Sequence, residues 1–233
     1  MRQNLNLTNP YYEFFKSTVH EAPGKFPGTL VALLMYYVCP LIFHWELLLS
    51  PMMIAPLIVC SLIFLTQPAA SSDQLQNPSD KSSMKYLFWA TWLSQAAEIS
   101  QWAYLNEVHV FSGGVANFFG LLIMVVGLIV RVEAIIELRE FFANTIYIRD
   151  DHRLIKTGIY KYVRHGSYTG AYLIGLGIGV YFSAWWGVML SAVVLGVAYR
   201  YRILHEEIAL VACFGDEYRQ YQKDTYMLIP FVL

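Results

Sequence analysis

Stretches of apolar residues long enough, or nearly long enough, to cross a bilayer recur along almost the whole of this chain. They run over Thr29–Leu49, Met52–Thr66, Tyr86–Leu105, Val115–Val130, Tyr168–Phe182 and Trp185–Ala198. A membrane helix needs about 20 such residues, with ~17 as a lower limit. Only 14% of the 233 residues are charged, against 57% hydrophobic, where soluble domains carry about 25% charged residues. Such a chain has too little polar surface to coat a water-soluble globule. The fold expected is all-α: a polytopic membrane protein of about six transmembrane helices.

Punctuation between the runs fits this reading. Pro51 suits a first helical position. Ala69–Ser83 is rich in Ser, Asp, Asn and Pro and reads as a loop. Gly113 and Gly114 break the chain before the fourth run, and Arg131–Phe142 keeps helical spacing beyond it, with Ile135, Leu138 and Phe142 on one face. We read that stretch as a cytosolic or interfacial extension. The last two runs are short and close together, which predicts a tilted or partly sunken helical hairpin over 168–199. Its glycines (Gly170, Gly175, Gly179, Gly187 and Gly196) sit at spacings that let helix backbones approach closely. No polar linker divides the chain. Within one unit, residues 1–142 supply the N-terminal transmembrane helices and 143–233 the polar, chemistry-bearing region that includes the hairpin.

Charge sets orientation. Lys and Arg gather in the N-terminal tail, at Lys81 and Lys85, between Arg131 and Arg164, and from Arg200 onward; His44–Ser50 and Asn106–Gly114 hold none. The positive-inside rule then puts both termini and the C-terminal polar block on the cytosolic side. A net charge of −1 and the lack of a basic tail argue against a nucleic-acid partner. Cys39, Cys60 and Cys213 are an odd number, far apart and in apolar runs. They read as buried thiols in a reducing setting, with no disulfide frame and no metal site. Glu13 and Glu21 keep the N-terminus polar to about Phe26, unlike a cleavable signal peptide.

The unusual polar residues lie in two stretches, Asp150–Gly170 and Tyr201–Tyr221. Arg202 and Glu206, four apart, share a helix face, and Glu207 points about 100° away. Ionisable groups near membrane depth are usually functional, yet spacing alone leaves an interfacial salt bridge equally open. A lone histidine such as His152 or His165 is more often a structural donor than a catalytic one.

The string GIYKYVRHGSYTG (Gly158–Gly170), preceded by DHRLI (Asp151–Ile155), resembles the signature of the isoprenylcysteine carboxyl methyltransferase family, part of a wider group that includes phospholipid N-methyltransferases. Its second half is matched, after the hairpin, by Arg202, Glu206, Glu207, Leu210, Phe214, Gly215, Glu217, Tyr218 and Tyr221. The likeness covers about Phe141–Pro230; the earlier runs match only as apolar helices. One departure stands out: the family has proline after the histidine, and this chain has Gly166. Glycine can take the same backbone angles but does not fix φ, which predicts the same turn with a looser start to the next helix.

The resemblance implies an S-adenosylmethionine-dependent methyltransferase. Its cofactor pocket would be built from His152, Arg153, Leu154 and Ile155, then Tyr160, then His165, Gly166, Ser167 and Tyr168, closed by Glu206, with Tyr147 at a further contacting position. Glu206 is suited to the cofactor's ammonium and donors near His165 to its carboxylate. Arg202 corresponds to the family's substrate-contacting arginine, and with Glu206 is the catalytic expectation. The implied partner is a prenylated protein C-terminus or similar lipid carboxylate. The implied location is the endoplasmic reticulum in a eukaryote, or the inner or plasma membrane in a prokaryote. Phospholipid N-methylation is the alternative within the same architecture, and a non-catalytic scaffold or small transporter is the alternative outside it. No glycine-rich dinucleotide fingerprint is present, so a soluble Rossmann-type methyltransferase is excluded.

The topology is open to a direct test. In a background with Cys39, Cys60 and Cys213 replaced, single cysteines at Ser50 and Ser112 should react with a membrane-impermeant thiol reagent from the outer face. Labelling of either position only from the cytosolic side would rule out the six-span arrangement.

Overall fold

A computed structural model describes residues 9–67, 78–106, 113–142 and 153–229. The described residues are helical, joined by turns, with one isolated parallel bridge between Val163 and Tyr226. The helices are α1 (Pro10–Leu33), α2 (Pro51–Thr66), α3 (Pro78–Leu105), α4 (Val115–Leu138), α5 (Gly166–Tyr181), α6 (Trp185–Phe214) and α7 (Asp216–Asp224).

Several boundaries differ from expectation. The first helix starts at Pro10 rather than Thr29, because Asn9 caps it by accepting from the Tyr11 amide at 3.0 Å and Pro10 stands at the first turn. It also does not run on regularly to Leu49. A π-turn (Leu34–Val38) and 3-10 turns (Cys39–Leu41, Trp45–Leu49) follow it, around Pro40, which has no amide hydrogen for the regular ladder. The third helix starts at Pro78, so the end of the expected loop, through Ser83, is helix. The fourth run and its extension are one helix, ending in a 3-10 turn at Arg139–Phe141. Arg131, however, faces inward and is buried. Cys39 and Cys213 are exposed, against the expectation of buried thiols, because each falls on an outward helix face. Cys60 faces inward, 2.9 Å from the Tyr37 hydroxyl.

By length and composition α4 and α6 can each cross a bilayer, and α2 is a shorter apolar helix. Phe118, Phe119, Val126, Ile129, Val193 and Val197 point outward from α4 and α6, as lipid-facing side chains do. Inside, Tyr37, Trp102 and Phe182 are almost fully buried, and the Trp102 and Phe182 rings stack with centroids 4.7 Å apart.

The α4–α5 contact is made of backbone. A methyl carbon placed on Gly170 would lie 2.4 Å from the Gly127 carbonyl oxygen, and one on Gly120 would lie 2.2 Å from the Tyr181 nitrogen. The two helices therefore meet at van der Waals distance only because these positions lack side chains. After α6, Gly215 takes φ +56°, a conformation natural to glycine, and turns the chain into α7. The segment after α7 then clips onto the turn before α5. Arg164 N–H donates to the Tyr226 carbonyl (2.9 Å), Tyr226 N–H to the Tyr162 carbonyl (2.9 Å) and His165 N–H to the Met227 carbonyl (3.2 Å).

This packing predicts opposite outcomes for two glycines of the hairpin. Gly170→Ala presses a methyl group into helix backbone that cannot step aside, and should cost about 1–3 kcal/mol or more. Gly196→Ala meets nothing closer than the Tyr172 hydroxyl at 3.8 Å and should be neutral. Thermal unfolding in detergent measures both; equal midpoints for the two variants would contradict the contact.

Candidate functional site

The site forms where α4, the turn before α5, the start of α5 and the middle of α6 converge. At its centre is the Tyr168 hydroxyl. It accepts from Arg202 Nε–H at 2.8 Å and donates to Glu206 Oε2 at 2.8 Å. Arg202 and Glu206 do share a face of α6, and Tyr168 from α5 bridges them. Arg202 is 1% exposed, and its NH1 also donates to the Ser83 hydroxyl at 2.8 Å. The Tyr168 ring stacks on His165, with planes 9° apart and centroids 5.8 Å apart, and leans on Tyr199.

The adjacent glutamates differ in their surroundings. Glu207 is buried and saturated: Arg164 Nε donates to it at 2.8 Å, Gln222 Nε2 at 2.9 Å and the Tyr218 hydroxyl at 3.4 Å, with His165 Nε2 at 3.2 Å. Burial pushes its carboxyl pKa up, but the hydrogen bonds from His165 and Arg164 outweigh this and bring it down to about 2. Arg164 in turn holds the Gln222 carbonyl at 3.0 Å and the Thr225 carbonyl. Glu207 therefore anchors the clip. Glu206, whose side chain is 30% exposed, keeps an open edge beside Tyr168, with His165 Nδ1 4.0 Å away.

Arg131 is the second buried cation. Its NH1 donates to the Ser167 hydroxyl (2.8 Å) and carbonyl (3.2 Å) and its NH2 to Gln67 Oε1 (3.0 Å), leaving Nε without a partner among the described residues. Tyr160 is buried, donates to the Ala134 carbonyl at 3.2 Å and accepts on its own carbonyl from the Tyr221 hydroxyl at 2.6 Å. Both arginines line a cavity of about 230 Å³ whose other walls are mostly apolar, among them Tyr36, Phe64, Leu87, Phe88, Ile178 and Leu195. A polar head end and an apolar body are the features of a site for an amphiphile.

Of the residues expected from sequence, Tyr160, His165, Ser167, Tyr168, Arg202 and Glu206 lie on these converging elements. Arg153, Leu154 and Ile155 are in the chain leading to the Gly158–Lys161 turn, with Arg153 exposed and the other two half-buried. Tyr147 and His152 lie outside the described residues. Gly166 opens α5, so the turn is kept without the family proline. A side-chain carbon there would lie 3.2 Å from the Ala134 methyl, so α4 packs close against this position.

Sequence reasoning missed Arg131, Ser83, Arg164, Tyr199 and the anchoring role of Glu207. The signal for Arg131 was present: Gly120, Met124, Gly127, Arg131 and Ala134 repeat at helical spacing on the buried face of α4.

These features define a helical membrane protein with a polar, arginine-bearing site at the head of an apolar cavity. Comparison with known proteins gives the family. The sequence profile of the isoprenylcysteine carboxyl methyltransferase (ICMT) family matches residues 120–212. Protein-S-isoprenylcysteine O-methyltransferase A of Arabidopsis thaliana is 34% identical over 136 residues, covering 55% of this chain and 68% of that protein. The Schizosaccharomyces pombe protein-S-isoprenylcysteine O-methyltransferase is 34% identical over 108 residues, 46% of each chain, so the match spans about half that relative's length. A solved structure of the eukaryotic intramembrane Ras methyltransferase ICMT superposes with a TM-score of 0.53 at 20% identity, covering 97% of this chain and 87% of that one, which shows a shared fold. The chain belongs to the isoprenylcysteine carboxyl methyltransferase family, whose members are integral membrane proteins.

The Glu207 anchor carries a pH dependence. Its folded pKa, about 2, lies below the ~4.3 of a free glutamate. Its stabilisation is therefore complete above about pH 4.3 and is lost as pH falls from there toward 2. Thermal midpoints of the wild type should drop across that window. Glu207→Gln should start lower at neutral pH and show a flatter acid limb; parallel acid limbs would contradict the assignment.

Proposed function

We propose that this chain transfers the methyl group of S-adenosylmethionine to the α-carboxylate of a C-terminal S-isoprenylcysteine. One observation carries this reading: Arg202, Tyr168 and Glu206 stand in hydrogen-bonded line at the head of an apolar cavity. On this reading the lipid chain lies in the cavity. Its carboxylate meets Arg202, whose planar fork matches it, with Arg131 as a second cation on the same wall.

The donor set around Glu206 fits the cofactor. Glu206 spends one bond on Tyr168 and retains exposed carboxylate edge for an ammonium. Tyr160, Leu154 and Ile155 supply ring and aliphatic surface, with Arg153, His152 and Tyr147 as further expected contacts. His165 and Tyr168 set the orientation of Glu206, and Gly166 and Ser167 present the start of α5. When bound, S-adenosylmethionine supplies an electrophilic methyl group on a sulfonium.

The chain's own task is then alignment. A prenylcysteine carboxylate is ionised at neutral pH, with a pKa of about 3.3–3.7, so no general base is required. Holding the carboxylate oxygen in line is worth several kcal/mol of barrier. An amine acceptor would instead need a base and would meet two buried guanidinium groups, which disfavours phosphatidylethanolamine. A passive scaffold gives no account of two buried arginines facing a cavity.

The proposed setting follows from the charge distribution. About six spans leave both termini and the site on the cytosolic face, in the endoplasmic reticulum of a eukaryote or the plasma membrane of a prokaryote. The catalytic region is residues 143–233, completed by Ser83 of α3 and Arg131 of α4 from the N-terminal 1–142.

Radiolabelled methyl transfer in purified membranes tests the reading, with N-acetyl-S-farnesylcysteine and phosphatidylethanolamine offered side by side. Arg202→Ala should abolish transfer to the prenylcysteine while cofactor binding survives, and Arg202→Lys should rescue in part. Glu206→Gln should raise the cofactor Kd ten- to hundred-fold, the equivalent of about 1.5–3 kcal/mol for a charge-assisted contact. Transfer to phosphatidylethanolamine alone would overturn the substrate class, and wild-type rates for Arg202→Ala would overturn the role of that residue.

A further inference from the structure

Deep in the bundle, α3 carries polar side chains that the proposed chemistry does not use. Some have structural tasks: Gln101 Oε1 accepts from the Gly187 amide at 2.8 Å, and the nearby Asn117 on α4 donates to the Tyr181 carbonyl at 2.7 Å. Gln95 has no comparable task, and Glu98 beside it has the Ser191 hydroxyl of α6 as a neighbour. Gln95 is 4% exposed and Glu98 0%. The contact between them is long, with Gln95 Nε2 3.4 Å from Glu98 Oε2, and Gln95 Oε1 has no partner among the described residues.

The fold makes room for this pair. A methyl carbon on Gly179 would lie 2.8 Å from the Glu98 carboxyl, and one on Gly187 would lie 2.9 Å from Glu98 Cγ. A buried polar atom left unpaired costs about 1–3 kcal/mol, and leucine or methionine here would avoid that cost. Gln95 is also part of the wall of the cavity. Twelve residues separate it from Ser83, which touches Arg202, so at 1.5 Å per residue it sits about 18 Å along α3 from the head of the site.

We infer that Gln95 is a hydrogen-bonding subsite for a hydroxyl group carried near the far end of the lipid chain that occupies the cavity. Glu98 takes one end of the Gln95 amide and the other end is presented to the cavity. A hydroxyl both donates and accepts, so it satisfies the amide whichever of its ends faces inward. An ether or carbonyl only accepts. The acceptor class is thereby narrowed to lipids with an oxygenated distal chain. This rests on the proposal that the cavity holds the acceptor's lipid tail.

The test uses the purified full-length protein, wild type and Gln95→Met, with Gln95→Leu as a second apolar variant. The ligands are N-acetyl-S-farnesylcysteine and its analogue hydroxylated on the terminal isoprene unit. Equilibrium binding in detergent gives a Kd for each lipid, independently of turnover. The wild type should bind the hydroxylated lipid about three- to ten-fold tighter. Both variants should reverse the preference. The same Kd ratio in wild type and variants would overturn the subsite. Methyl transfer measured alongside reports separately on the acceptor reading: loss of transfer to both lipids would fault that reading, while the Kd ratio still decides the role of Gln95.

Discussion

The α4–α5 contact fixes the position of everything polar in this protein. Gly127 and Gly170 face each other so closely that neither tolerates a side chain. At that separation the Arg131 guanidinium reaches the Ser167 hydroxyl and carbonyl, and the Tyr160 hydroxyl reaches the Ala134 carbonyl. A wider spacing would cost these hydrogen bonds, and Tyr168, one residue past Ser167, would no longer be held between Arg202 and Glu206. Within a membrane, where apolar surface gains little by leaving lipid, backbone proximity of this kind is the effective glue.

Charge is handled in two ways along one stretch of α6. Glu207 meets its donors in full and contributes stability; Glu206, one residue on the open side, holds a single tyrosine and faces outward. A helix turns about 100° per residue, so adjacent glutamates naturally serve opposite sides. The clip that Glu207 secures through Arg164 also pins the backbone of His165 to Met227. The ring of His165 then backs Tyr168. The anchoring glutamate thus acts on the open one through the histidine and the tyrosine.

Much of this was legible in the sequence, for identifiable reasons. Apolar runs bounded by Pro51, Gly113–Gly114 and Gly215 mark helices α2, α4 and α6, because proline and glycine punctuate helices by fixed backbone rules. Arg202 and Glu206 were legible from i, i+4 spacing together with the signature motif. Three things were missed. The first helix begins at Pro10 because an asparagine cap and a proline start outweigh a polar composition, which hydropathy alone does not register. Ser83 appeared to lie in a loop because the serines around it are turn formers; its contact is with an arginine 119 residues away. Arg131 looked like the membrane boundary of α4, and only its register with Gly120, Gly127 and Ala134 reveals that it turns inward.

A guanidinium buried among apolar helices would ordinarily be a burden on stability. For Arg202 the Tyr168 and Ser83 hydroxyls each receive one of its donors and offset part of that cost. Glu206 is held one hydroxyl away from the guanidinium. Tyrosine therefore fills a role that phenylalanine could not: its one hydroxyl accepts from the arginine and donates to the glutamate. The same hydroxyl sets the direction of Glu206, so the proposed substrate and cofactor positions are coupled through a single oxygen atom.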